Sequence, residues 1–283
     1  MSNYYLLLIQ LLFVLVGVFL FWQAIGYFHR MSQYKRLKST VFPKPYAKIL
    51  QNLNHYKYLT HKDQEKIQLL ILAFLENKEF LDTKMDITDE IKVLIAFYAC
   101  LMRLGFDFGE KDDVSTIIVY PNHFFVNHTD TIGGIKRNET MLLEGQSANG
   151  TVVISWQGIE GDIAHIHKDN VIIHEFAHEL DFEDGLADGT PVLEGSNYST
   201  WSNVFSNAFE TLRTEAKKER SSEYGKFLGT YALKNEAEFF EVCSERFFQV
   251  PKSFKRYFPE LYNELKDFYR LDTAILFKDL SES

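Results

Sequence analysis

The chain has 283 residues, 46% hydrophobic and 24% charged, which is ordinary for a folded protein and excludes an intrinsically disordered one. Its 30 Lys and Arg against 39 Asp and Glu leave a formal charge of −9, so direct nucleic-acid binding, which needs a basic face to replace counterions, is not expected. The two cysteines, Cys100 and Cys243, lie in apolar helical surroundings without a Cys-x-x-Cys pair, which excludes a disulfide framework and a thiolate zinc site.

From Tyr4 to Tyr27 no side chain is charged, and Leu6 to Ile9 and Leu12 to Val16 form a dense apolar run. About 20 such residues in a helix span a bilayer core, so residues 1–30 read as a transmembrane anchor. A cleaved signal peptide would need a basic start and a small-residue cleavage site, and Phe19-Leu20-Phe21-Trp22 stands where the small residues would be. His29, Arg30, Lys35, Arg36 and Lys38 follow the run and no Lys or Arg precedes it. Positive residues stay on the cytoplasmic side, which predicts a single-pass protein of the inner membrane with its main domain in the cytoplasm.

Residues 31–58 form a juxtamembrane connector that carries Pro43 and Pro45 and enters a short helix. A helical subdomain is expected over 59–112. Thr60 starts a helix with Ile67, Leu70, Ile71, Phe74 and Leu75 on one stripe. Thr88 starts a second, with Asp89 and Glu90 in its first turn, and Gly105 is expected to end it. The remainder, 113–283, opens with β-branched and aromatic strands at 115–120 and 151–156, separated by turn-rich sequence. Helices are expected at 170–180, 201–219, 235–248 and 256–269.

The stretch Val171-Ile-Ile-His174-Glu175-Phe-Ala-His178-Glu-Leu-Asp181 carries the chemistry. Residues four apart share a helix face, so His174 and His178 are placed to bind one zinc ion. Glu175 sits beside the metal as the general base for a water whose pKa zinc lowers to roughly 7. The apolar flanks describe a helix buried on its other faces. A third protein ligand is needed. His165 and His167 are too close in sequence to fold back easily. On the helix at 235–248, Glu238, Glu241 and Glu245 share one face, and spacing alone does not choose among them. Asp181 and Glu245 are candidates for orienting a ligand imidazole. The strand at 151–156 is a candidate edge strand for holding extended substrate by its backbone.

Further motifs accompany this one: Phe-Leu-Glu-Asn-Lys-Glu-Phe at 74–80, Ile87-Thr-Asp-Glu90, Tyr120-Pro121, Val153-Ile-Ser-Trp156, Asp184-Gly185, Ala187-Asp-Gly-Thr-Pro191 and Ala237-Glu238-Phe239-Phe240. With them, nearly all of the soluble part resembles the glucose-regulated metallopeptidase family of Mlc titration factor A. The resemblance implies a gluzincin-type peptidase, distantly like the catalytic domain of anthrax lethal factor. It implies Glu238 as the third zinc ligand and Tyr231 as the hydroxyl that stabilises the oxyanion. The family's name also implies a transcriptional repressor as a partner.

The expected fold is therefore α+β: an N-terminal transmembrane helix, then a mostly helical metallopeptidase domain with a small sheet beside the His-Glu-x-x-His helix. The expected function is zinc-dependent hydrolysis of peptide or protein substrate, with one Zn²⁺ per chain on His174, His178 and Glu238. Two rivals stand beside it. One is a zinc-stabilised module that sequesters a repressor at the membrane. The other is a hydrolase of non-peptide amides or cell-wall peptides.

Overall fold

The computed structural model describes residues 2–280 except 84, 111, 123, 133–134, 144, 149, 158, 160–167, 194–196 and 218–222. The chain divides into two compact units, Met1–Phe42 and Pro43–Ser283. The first is one helix, α1 (Ser2–Lys38), whose segment Ile9–Lys38 is long and apolar enough to cross a membrane. Its large apolar side chains, Leu12, Phe13, Val14 and Phe19 among them, are exposed, and Lys35, Arg36 and Lys38 occupy its last turn.

The second unit is α+β and mostly helical. It opens with α2 (Lys44–Asn52), α3 (Asn54–Tyr58) and α4 (His61–Asn77). Strand β1 (Glu79–Asp82) leads to α5 (Asp89–Met102). The threonines marked as starts serve as caps: Thr60 Oγ1 accepts from Asp63 N at 3.2 Å and Thr88 Oγ1 accepts from Ile91 N at 3.4 Å. The second of these helices ends at Met102, ahead of the expected stop at Gly105.

Next come β2 (Thr116–Tyr120), the hairpin β3 (Phe124–Ile132) and β4 (Ile135–Leu143), then β5 (Gly145–Ala148) and β6 (Thr151–Ser155). The main sheet runs β1-β2-β6-β5, with β1, β2 and β6 parallel and β5 antiparallel to β6. Strand β1, from before residue 112, thus shares one sheet with strands that follow it. Inward residues alternate as a half-buried strand requires, with Ile117, Val119, Val152 and Ile154 all buried. The expectation of an edge strand at 151–156 is corrected here. β6 lies between β2 and β5, and the outer strand is β5.

Helix α6 (Val171–Asp181) carries the histidine pair and packs against β5, β6 and α5. The chain then passes through a 3₁₀ turn (Phe182–Asp184) to α7 (Tyr198–Lys217) and α8 (Glu223–Leu228), and through a second 3₁₀ turn (Tyr231–Leu233) to α9 (Glu236–Gln249). It closes with α10 (Pro251–Tyr257), α11 (Pro259–Tyr269) and α12 (Thr273–Leu276). The single helix expected at 256–269 is broken, because Pro259 has no N–H to continue it and instead takes the first position of α11.

Helix α9 runs through the aromatic core. Phe239, Phe240, Phe247 and Phe248 are each 1% exposed or less, and Tyr262, Tyr269 and Phe254 close over them. Cys100 and Cys243 are free, buried thiols, and burial pushes both of them up in pKa.

His55 is enclosed in the same core, with Nε2 3.2 Å from the Phe248 carbonyl. Burial holds its pKa down at about 4 against the usual 6.5. A base depressed in this way stabilises the fold fully above pH 6.5, and that contribution is lost as pH falls from 6.5 towards 4. The difference corresponds to about 3 kcal/mol. Denaturant midpoints should therefore fall across this window in the parent and fall less in His55→Gln. Equal slopes in the two proteins would count against His55 as the source.

Candidate metal centre

Two asparagine caps set the site. Asn170 Oδ1 accepts from Ile173 N at 3.1 Å and opens α6; Asn235 Oδ1 accepts from Glu238 N at 2.8 Å and opens α9. The entry of α6 then lies beside Glu245, in the third turn of α9, and His178 beside Glu241. His174 and His178, one turn apart on α6, have ring centroids 5.0 Å apart and meet Glu238 of α9.

The ligand atoms of His174, His178 and Glu238 all lie within 4.8 Å of one another, and among the described residues this is the one His/Cys/Asp/Glu group so arranged. Glu238 Oε2 lies 3.3 Å from His174 Nε2 and 3.7 Å from His178 Nε2. Donor atoms held about 2 Å from a tetrahedral ion are roughly 3.3 Å apart, so these separations suit zinc, as does the set of two imidazoles and a carboxylate. Glu238 Oε2 is buried and has no hydrogen-bond partner among the described residues, which leaves its lone pairs for a cation.

The outer nitrogens are also engaged. His174 Nδ1 lies 2.9 Å from Glu245 Oε1, and His178 Nδ1 lies 3.0 Å from Glu241 Oε1. Burial disfavours the charged imidazoles, but the carboxylates around them outweigh it and raise both rings above the ordinary histidine value. Glu238 shows the converse. Burial alone would raise it, yet His174, Lys234 and the second imidazole pull it down to about 2.

Glu175, beside the pair, is 4% exposed, and its Oε2 has no partner. Burial pushes its carboxyl up to about 7, against the pull of His174 and His178. A carboxyl poised there can take up and give back a proton near neutral pH. Tyr231 is 46% exposed and donates its hydroxyl to Glu238 Oε1 at 3.0 Å. Lys234 Nζ donates to the same oxygen at 2.9 Å.

The structure thus brings His174, Glu175, His178, Glu238 and Tyr231 into one cluster. Glu241 and Glu245 stand behind the imidazoles. Asp181 does not, since its Oδ2 accepts from Gly189 N at 2.9 Å. His165 and His167 lie outside the described residues.

Sequence reasoning missed three contributors. Lys234 stands just ahead of the Asn235 cap, outside α9, and its only signal was a place four residues before Glu238. Arg246 is 2% exposed and ties the strands of chain around the site together. Its Nη1 donates to the Lys168 carbonyl at 2.5 Å and its Nη2 to the Leu228 carbonyl at 3.0 Å, with Asp169 Oδ1 at 2.8 Å. The third is the strap after α6. Gly189 has φ +78°, its N–H reaches Asp181, and its carbonyl accepts from Trp201 Nε1 at 3.1 Å.

The sequence pattern of the family described as glucose-regulated metallo-peptidase M90 matches residues 28–270. The chain belongs to this family. M90 relatives include the Mlc titration factor A of Pectobacterium atrosepticum, 31% identical over 219 residues, which cover 76% of this chain and 81% of that protein. The Escherichia coli (strain 55989) protein of the same name is 29% identical over 221 residues, with 76% and 81% covered. An uncharacterized protein of Synechocystis sp. is 30% identical over 258 residues, covering 88% of this chain and 92% of its own. The M90 match spans the metal-centre helices α6 and α9, so a metal is implied by membership and a His-His-Glu group suited to it is present.

Proposed function

We propose that this chain is a zinc-dependent peptidase, held at a membrane by α1, with His174, His178 and Glu238 as its metal ligands. The observation that carries the reading is the convergence of two Nε2 atoms on Glu238 Oε2, which has no hydrogen-bond partner among the described residues, beside a second such oxygen, Glu175 Oε2. Zinc bound there would supply Lewis acidity towards a scissile carbonyl and would acidify an attacking water. Glu175 then takes the proton from that water on Oε2 and delivers it to the leaving amine. The Tyr231 hydroxyl, half-exposed and able to leave Glu238 Oε1, donates to the developing oxyanion. Strand β5, an outer strand of the sheet among the described residues, would take an extended peptide along its backbone edge.

The direct test is metal analysis of the full chain together with cleavage of a peptide library. About one zinc per chain is expected, and chelation should abolish cleavage and lower the melting temperature. Full cleavage by metal-free protein would sink the reading.

A second reading comes from the name these relatives carry, Mlc titration factor A. In it the domain binds and withholds a transcriptional repressor. Repressor binding that survives in a Glu175→Gln chain would favour this role beside, or in place of, hydrolysis. The basic residues that close α1 support a cytoplasmic domain. A C-terminal reporter active only outside the cytoplasm would reverse that orientation.

A further inference from the structure

The two carboxylates behind the imidazoles are not equivalent. Glu245 has a second task, since its Oε2 accepts from Asn170 N at 2.6 Å and so holds the entry of α6. Glu241 has none. It is 0% exposed, neither of its oxygens has a hydrogen-bond partner of good geometry, and the ion-pair neighbour it has is His178 at 3.0 Å. Asp181, with its own buried and unpartnered Oδ1, adds a like charge nearby rather than relief. Burying a carboxylate without bracing costs several kcal/mol. In the described packing, the His178 ring is what faces that cost.

We propose that Glu241 is the positioning residue for His178, an inference that rests on the metal reading above. A neutral imidazole carries its proton on either nitrogen, and a ligand needs it on the nitrogen turned away from the metal. Glu241 Oε1, 3.0 Å from His178 Nδ1, favours the proton on that nitrogen and so the tautomer whose Nε2 lone pair is turned to the Glu238 oxygen. The same contact fixes the ring plane and makes Nε2 a stronger donor. Asp181, expected from sequence in this role, is occupied with the Gly189 N–H and serves the strap.

The test is zinc affinity of the full chain in detergent, measured by competition with a chromophoric chelator, on the parent, Glu241→Ala and Glu241→Gln. Truncation should weaken zinc binding by about 10- to 100-fold. A glutamine oxygen there still favours a proton on Nδ1 but lacks the charge, so Glu241→Gln should fall between the alanine variant and the parent. The d–d absorption of the cobalt-loaded protein should shift in the same order. A purely structural Glu241 would change melting temperature without this grading. Parent-like zinc affinity in both variants overturns the assignment to Glu241. A parent that binds no zinc overturns the metal reading itself, so the two failures are told apart. If Glu241→Ala does not fold, the near-isosteric glutamine variant alone decides, since parent-like affinity and cobalt spectrum in it would refute the role.

Discussion

Glu175→Gln should retain about one zinc per chain and lose peptide cleavage by about 10²- to 10⁴-fold, the range that a positioned general base supplies. The substitution keeps the volume of a side chain that is 4% exposed and removes the proton acceptor. It also has a signed effect on the metal-free fold. Burial lifts the Glu175 carboxyl from 4.5 to about 7, so the folded state binds more protons than the unfolded one between these values. Stability then declines as pH rises through the window, by about 3 kcal/mol in all. Glutamine has no such decline, and metal-free Glu175→Gln should melt several degrees above the parent at pH 8. Loss of activity with gain of stability is the pattern of a residue placed for chemistry rather than for packing. Cleavage by this variant at the parent rate would mean that another group is the base.

Gly189→Ala should be among the most damaging single changes in the fold. Gly189 has φ +78°, and a Cβ there would collide with the backbone carbonyl of Glu236 at the start of α9. Backbone cannot yield as a flexible side chain can. The expected cost is about 3–5 kcal/mol, read by denaturant unfolding, with zinc affinity falling as Glu238 is pushed away from α6. Gly185 supplies the control. Its φ is +91°, but nothing lies within 4 Å of the added carbon, so Gly185→Ala should cost only about 1–2 kcal/mol. Equal costs at the two positions would show that backbone strain alone, and not the strap's fit against α9, is at work.

Local features of this chain were legible because their rules are local. The helix starts at Thr60 and Thr88 and the histidine pair follow from short-range spacing, and each appears as the spacing implies. The three glutamates of α9 were not separable on that basis, since all lie on one face. Their division of labour depends on α6, which lies some 60 residues earlier: Glu238 meets both Nε2 atoms, Glu241 the Nδ1 of His178, and Glu245 the Nδ1 of His174. Strand order was likewise non-local. β5 reads Gly-Gln-Ser-Ala, without a β-branched or aromatic residue, and gives no propensity signal for the outer strand. The break at Pro259 is the opposite case. Its signal is local, the missing N–H alone, yet the expectation of one helix over 256–269 passed over it.

The proposed ligands come from two helices separated in sequence, which gives the ion a role besides chemistry. An ion shared by α6 and α9 staples a loop of about 60 residues, and only the native chain offers all three donors at once. At a thousandfold excess of free zinc over its dissociation constant, such a staple contributes about 4 kcal/mol. Starved of the ion, the same chain would open more often and meet proteases sooner. Its abundance would then follow cellular zinc supply even with synthesis held constant.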